Sequence, residues 1–233
     1  MAIEDSSGPE VNETGVADWS VTQNLAKLPE GQVRSILGYA GESLVIGRAL
    51  ACGYNLFFKA WRDSKYDAVL DAYGELFRIE IKQSGDGTQL SCTSGGRSGA
   101  QISRDAASRE VVLSPEDSDF LVGVHTFSGK CWIIPTEVIY FRNRKTNPTW
   151  SLNEYEEKWG IFAEPPLGFT LSEIRQGFRN MSEKDLAAIA TRVGISGSPE
   201  LSYKFSERSQ ATELTSKRDW YVLEIWRTIF AAL

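Results

Sequence analysis

Between residues 75 and 82 the chain alternates between two kinds of side chain: Phe77, Ile79 and Ile81 are apolar, whereas Arg78, Glu80 and Lys82 are charged. A period of two marks a strand packed on one face, so the three charged side chains share the other face. Residues 66–72 form a second run with strand character, and Gly74 lies between the two runs. A β-hairpin follows, with Asp67 brought in from the first strand. Upstream, Leu44, Val45, Ala49 and Cys52 approximate helical spacing, and Gly53 is a natural helix stop. Asn55-Leu56-Phe57-Phe58 then reads as a short buried strand.

Beyond residue 140 the pattern changes. Residues 143–148 form a basic, turn-rich break, 152–159 are acidic and helical or irregular, and Glu164-Pro165-Pro166-Leu167-Gly168 punctuates the chain. Two helical patterns follow over 170–193, the second opened by Ser182 with Asp185 in the manner of a capping box. The run 186–196 has the outline of the first half of a helix-turn-helix, but Gly197, Ser198 and Pro199 spoil a recognition helix, which leaves a packing helix as the plainer reading. The last stretch, 219–233, is amphipathic and rich in aromatic residues, suited to core packing or to a dimer contact.

The hairpin also carries candidate chemistry. Two carboxylates beside a lysine on adjacent strands can hold Mg²⁺ and activate a water. Asp67 with Glu80-Ile81-Lys82 resembles the motif of the PD-(D/E)XK nuclease superfamily, and Glu42, at the start of the helix before the hairpin, resembles an additional acid that many members carry. The run Ser118-Asp119-Phe120-Leu121-Val122-Gly123-Val124, then Gly129-Lys130-Cys131-Trp132-Ile133-Ile134-Pro135, resembles the later strands of one branch. That branch comprises group I intron-encoded homing endonucleases and their standalone bacterial and phage relatives. The proline that names the superfamily is replaced by Tyr66, and Asp71 is a rival to Asp67 that lies nearer the turn.

The resemblance implies an α/β fold: a restriction-endonuclease-like core with a central mixed sheet flanked by helices, over 19–163. A mobile acidic tail would precede it over 1–18, and a helical extension would follow over 164–233. It implies a Mg²⁺-dependent DNA endonuclease of restriction or homing type, with a junction resolvase or a catalytically silent DNA-binding protein as alternatives. Asp67, Glu80 and the carbonyl of Ile81 would hold the metal. Glu42 would serve a second ion, its water or Lys82, and Lys82 would stabilise charge on the phosphate. Double-strand cutting implies a homodimer or larger homo-oligomer.

Charge tempers the DNA reading without removing it. The net charge is −6, yet the first 18 residues hold five acids and no lysine or arginine, leaving 25 basic against 26 acidic residues in the rest. Arg97 and Arg104, in and after the glycine-rich run 94–99, and Arg144 and Lys145 are the candidate DNA contacts. Gln83 should point away from the Lys82 face. Cys52, Cys92 and Cys131 are widely spaced and read as buried free thiols of a reducing cytoplasm, and the single histidine, His125, falls inside a strand pattern. No apolar run approaches the ~20 residues of a membrane span, and no basic-then-apolar leader opens the chain, so no membrane partner is expected.

Overall fold

The computed structural model describes residues 25–59, 64–94, 110–196 and 216–233. The sequence opens helix α1 (Glu30–Ala51), which ends as its composition demands. Gly53 takes φ 87°, the Gly53 N–H donates to the Leu50 carbonyl at 2.9 Å, and the Tyr54 N–H donates to the Ala49 carbonyl at 2.9 Å. This paired closure satisfies carbonyls that a helix end leaves orphaned. Strand β1 (Asn55–Phe58) follows, then β2 (Ala68–Ala72) and β3 (Glu75–Ser84). The β2–β3 turn puts Tyr73 at φ 54° and Gly74 at φ 93°, the two positive values of a type I′ two-residue hairpin. Asp71 is committed there, since its Oδ1 accepts the Gly74 N–H at 2.9 Å. The rival acid therefore serves the turn, at the end of β2 opposite Asp67.

Short strands β4 (Gln89–Ser91), β5 (Thr93–Ser94) and β6 (Val111–Val112) lead to β7 (Phe120–His125) and β8 (Cys131–Pro135). The main sheet has five strands in the order β1-β2-β3-β7-β8, mixed because β3 and β7 run parallel while the other neighbours are antiparallel. Helix α2 (Thr136–Arg142) leads to β9 (Thr146–Pro148), which pairs with β4 as a separate ribbon. Three helices complete the fold: α3 (Leu171–Gln176), α4 (Glu183–Arg192) and α5 (Lys217–Ala231). Residues 149–155 and 159–162 form 3₁₀ turns. Among the described residues no helix is long and apolar enough to cross a membrane.

The alternation in β3 sorts the two faces of the sheet. Register partners share a face, and the Phe77–Ile79–Ile81–Gln83 face, with Phe120 and Val124 of β7, is covered by helices. Gly41 of α1 lies so close to it that a Cβ there would stand 3.2 Å from Val124 and 3.3 Å from Gln83. Gln83 thus lies on the face away from Lys82 and beneath α1. Trp226 of α5 meets the rings of Phe120 and Phe178, and Val222, Ile225, Ile229 and Phe230 bury beside it. On the opposite face, Leu90 of the β4–β9 ribbon fills the space above Gly123, where a Cβ would come within 2.6 Å of its methyl carbon. The polar face of β3 is consequently no solvated surface: Glu80 is buried.

Two local expectations need correction. Strand β1 is the outer strand of the sheet, and Phe57 and Phe58 are about half exposed instead of buried. An edge strand lacks a neighbour on one side, so a run of apolar residues does not ensure burial. Cys52 is exposed at the helix end; only Cys92 and Cys131 are buried, and burial pushes their thiols up to about 11 and about 12.

Candidate functional site

Asp67 stands just before β2, where the ladder is irregular. Ala68 is the register partner of Ile79, yet the Asp67 N–H also reaches the Ile79 carbonyl, at 2.9 Å. Two consecutive residues facing one define a β-bulge, a device that re-aims a side chain and ends regular pairing. The consequence is visible in the carboxylate. Asp67 Oδ2 accepts the Ile81 N–H at 2.9 Å, so a side chain takes the place of the next rung. A residue in an extended strand points its N–H and its carbonyl the same way, which directs the Ile81 carbonyl towards Asp67 as well.

The other oxygen of Asp67 is held by a residue that the motif did not flag. Lys59 Nζ donates to Asp67 Oδ1 at 2.6 Å, while the Lys59 N–H donates to the Asp67 carbonyl at 3.1 Å. Lys59 is therefore fixed by the β1–β2 ladder directly across from the acid. Nothing in the residue type announces this. Its position one residue beyond the 55–58 run, extended by antiparallel pairing, was the available signal.

Glu80 and Lys82 lie two apart on β3 and form a second ion pair, Lys82 Nζ to Glu80 Oε1. Glu80 is 6 % exposed, and burial pushes its carboxyl up to about 7; Lys82 pulls against that rise and the neighbouring Asp67 charge adds to it. Lys59 shows the reverse balance. Burial opposes its charge most strongly, but the Asp67 hydrogen bond and the charges of Asp67, Glu80 and Glu42 prevail and raise its pKa. Glu42 lies midway along α1 and not at its start, because the helix begins at Glu30; its carboxyl is raised by burial and then by the Asp67 charge, with Lys59 and Lys82 working against both.

The structure thus brings Asp67, Ile81, Glu80 and Lys82 together and adds Lys59. Glu42 lies within the field of this group, but among the described residues its carboxylate has no hydrogen-bonding partner and no cluster of three metal-ligating side chains is formed. Arg144 and Lys145 precede β9, on the ribbon that packs the Lys82 face, and Lys145 is exposed while its carbonyl accepts the Cys92 N–H at 2.8 Å. Arg97 and Arg104 lie outside the described residues. His125 ends β7 with Nδ1 2.7 Å from the Ser128 hydroxyl, away from these groups. Asp119 is structural: its carboxylate receives the Arg78 N–H at 2.7 Å and the Arg78 guanidinium at 2.6 Å, which clamps the starts of β3 and β7 together.

The donor set fits a hard divalent cation. Two carboxylates and a backbone carbonyl are oxygen ligands of the kind Mg²⁺ takes. A positive ion beside Glu80 would also offset, through its charge, the desolvation that raises this carboxyl.

No family model matches the chain, and no curated protein matches it. Among solved structures, the bacterial homing endonuclease I-Ssp6803I is similar, with a TM-score of 0.44 and 17% identity over 55% of this chain and 90% of that one. A likeness this distant assigns no activity.

Proposed function

We propose that the protein is a divalent-cation-dependent DNA endonuclease built on a PD-(D/E)XK core, sequence-specific and of restriction or homing type. The observation that carries this reading is the paired site at the bulged end of the hairpin. There, Asp67 is clasped to the Ile81 N–H and Glu80 is held in a low-dielectric recess beside Lys82. Two acids kept at close quarters, with lysines to balance them, are a poor device for stability, because burying charge is expensive. With a divalent cation held between them they would be a good device for a phosphodiester, whose hydrolysis places negative charge at one locus.

Asp67, Glu80 and the Ile81 carbonyl would hold the cation. When bound, Mg²⁺ would supply Lewis acidity towards the phosphate and lower the pKa of a water. Lys82 would position the attacking water and stabilise the charge growing on the phosphate, an interaction worth most in the transition state. Glu42 would act from α1 on a second ion or on the orientation of Lys82. Arg144 and Lys145, on the ribbon beside the Lys82 face, would meet the DNA backbone and fix its register without reading bases. One site of this kind cuts one strand, so a symmetric homodimer would serve both strands.

Nicking of supercoiled plasmid with Mg²⁺ tests the reading. The parent protein should convert the plasmid; Asp67→Asn should lose activity by about 10³-fold and Lys82→Met by about 10²-fold or more, the scale of removing one electrostatic stabiliser. Ca²⁺ should support DNA binding without turnover. Full cleavage by Asp67→Asn, or near-parental cleavage by Lys82→Met, would overturn the assignment.

A further inference from the structure

Lys59 is the residue of the site that the motif does not explain, and its placement is specific. Asp67 has two carboxylate oxygens: Oδ2 is committed to the Ile81 N–H at 2.9 Å, and Oδ1 is the one that Lys59 Nζ occupies at 2.6 Å. Oδ2 is held by a fixed backbone donor and Oδ1 by a movable ammonium, so a cation that takes Oδ1 gains a ligand oxygen by displacing Lys59. Lys59 can be displaced without disturbing the fold. Its backbone stays in the β1–β2 ladder, its side chain is 28 % exposed, and a four-carbon stem lets the ammonium swing through several ångströms.

Charge then dictates where it goes. Without a cation the site holds two matched pairs, Lys59 with Asp67 and Lys82 with Glu80. A divalent ion between the two acids adds two positive charges and repels both ammonium groups. An ammonium released beside that ion needs a new anion. Glu42 is one anion whose charge already acts on Lys59, and on a nucleic-acid substrate a backbone phosphate is the anion that the ligand itself brings to the site. Lys82 is tied to the same strand as its acid, two residues away, whereas Lys59 reaches Asp67 across the ladder from the end of the outer strand.

We infer that Lys59 is a second working cation of this site: it holds Asp67 Oδ1 while no divalent ion is bound, and passes to a DNA phosphate oxygen when a divalent ion takes that carboxylate. This rests on the nuclease reading above and names a substrate contact which that reading does not contain. It pairs each of the two ligand acids with an ammonium at rest and couples cation binding to DNA binding, since each ligand makes room for the other.

Calorimetric titration of Ca²⁺ into the DNA-free protein, and DNA binding as a function of salt with and without Ca²⁺, test it in the full chain. Lys59→Met should bind Ca²⁺ about tenfold more tightly than the parent, because a competing charge is gone. With Ca²⁺ present its DNA affinity should fall and the slope of log affinity against log salt should shrink by about 0.9, the loss of one phosphate contact. Without Ca²⁺ that slope should match the parent, since Lys59 is then engaged with Asp67. Lys59→Gln, whose shorter polar side chain suits a half-exposed strand end, should repeat the pattern, with melting temperatures showing that both variants fold. Ca²⁺ binding by the parent with unchanged Ca²⁺ affinity and unchanged slopes in both variants would overturn the role of Lys59 alone. A parent that binds no divalent ion would overturn the nuclease reading and this inference together.

Discussion

Two buried glutamates in this protein stand in opposite surroundings. Glu137, on α2, is 4 % exposed and receives neutral donors from three directions: the Phe178 N–H at 3.0 Å, the Arg179 N–H at 3.0 Å and the Trp226 indole N–H at 2.8 Å. It ties the segment between α3 and α4, and α5 beyond it, to the end of the sheet. Glu80 is nearly as buried, but its partner is one lysine on a flexible stem, and a second acid sits close by. Burial raises the pKa of both, most strongly countered at Glu137 by the Phe178 N–H and at Glu80 by the Lys82 charge. A carboxylate served by fixed backbone and indole donors can do nothing but hold. One served by a movable ammonium can exchange partners, and exchange is what a reaction needs.

The contrast is sharpest when each acid is neutralised in the same way. Glu80→Gln should abolish plasmid nicking, by about 10³-fold or about 4 kcal/mol of transition-state stabilisation, while the melting temperature holds or rises. Glu137→Gln should do the reverse. Its amide keeps one acceptor oxygen for the Phe178 and Arg179 N–H groups but turns a donor towards the Trp226 indole N–H, and should cost about 2 kcal/mol in a denaturant titration, with nicking per folded molecule unchanged. Equal melting temperatures for the two variants would break the comparison.

Gly177 gives a second handle on the structural acid. It adopts φ 65° and a Cβ there would lie 2.3 Å from Glu137 Oε1. Gly177→Ala should therefore lose about 2 to 3 kcal/mol through backbone strain and overlap combined. An unchanged melting temperature would mean that Glu137 does not hold this segment as described.

The smallest effect concerns pH. The folded Glu80 carboxyl titrates near 7 against an ordinary value of 4.5, so between those values the folded state binds the extra proton. The stabilising contribution of that proton is complete below about pH 4.5 and is lost as the pH rises through about 7. Stability measured from pH 5 to 8 should thus decline through this group, and Glu80→Gln should flatten that part of the profile. Mg²⁺ should stabilise the parent more at pH 8 than at pH 5.5, because a cation favours the charged carboxylate. A parental profile with the same slope in Glu80→Gln would place the titrating group elsewhere.

Much of the site was legible in the chain because it is written in short-range pattern. Alternation over 75–82 puts Glu80 and Lys82 on one face whatever surrounds the strand, since successive Cβ atoms must diverge. Gly53 and Gly74 sit where left-handed backbone is needed, so the helix stop and the hairpin tip follow from residue type. The tertiary structure decided what depends on neighbours distant in sequence. Lys59 entered the site only because antiparallel register sets it across from Asp67, and the bulge at Asp67 shows only in the pairing of two strands. Burial of Glu80 came from packing around the hairpin, with the β4–β9 ribbon over the same face, and exposure of Phe57 and Phe58 came from the place of β1 at the sheet edge. Glu137 carries no local signal at all: its donors lie 41 to 89 residues away. Face and turn are properties of a few consecutive residues, whereas burial and partnership are properties of which segments meet.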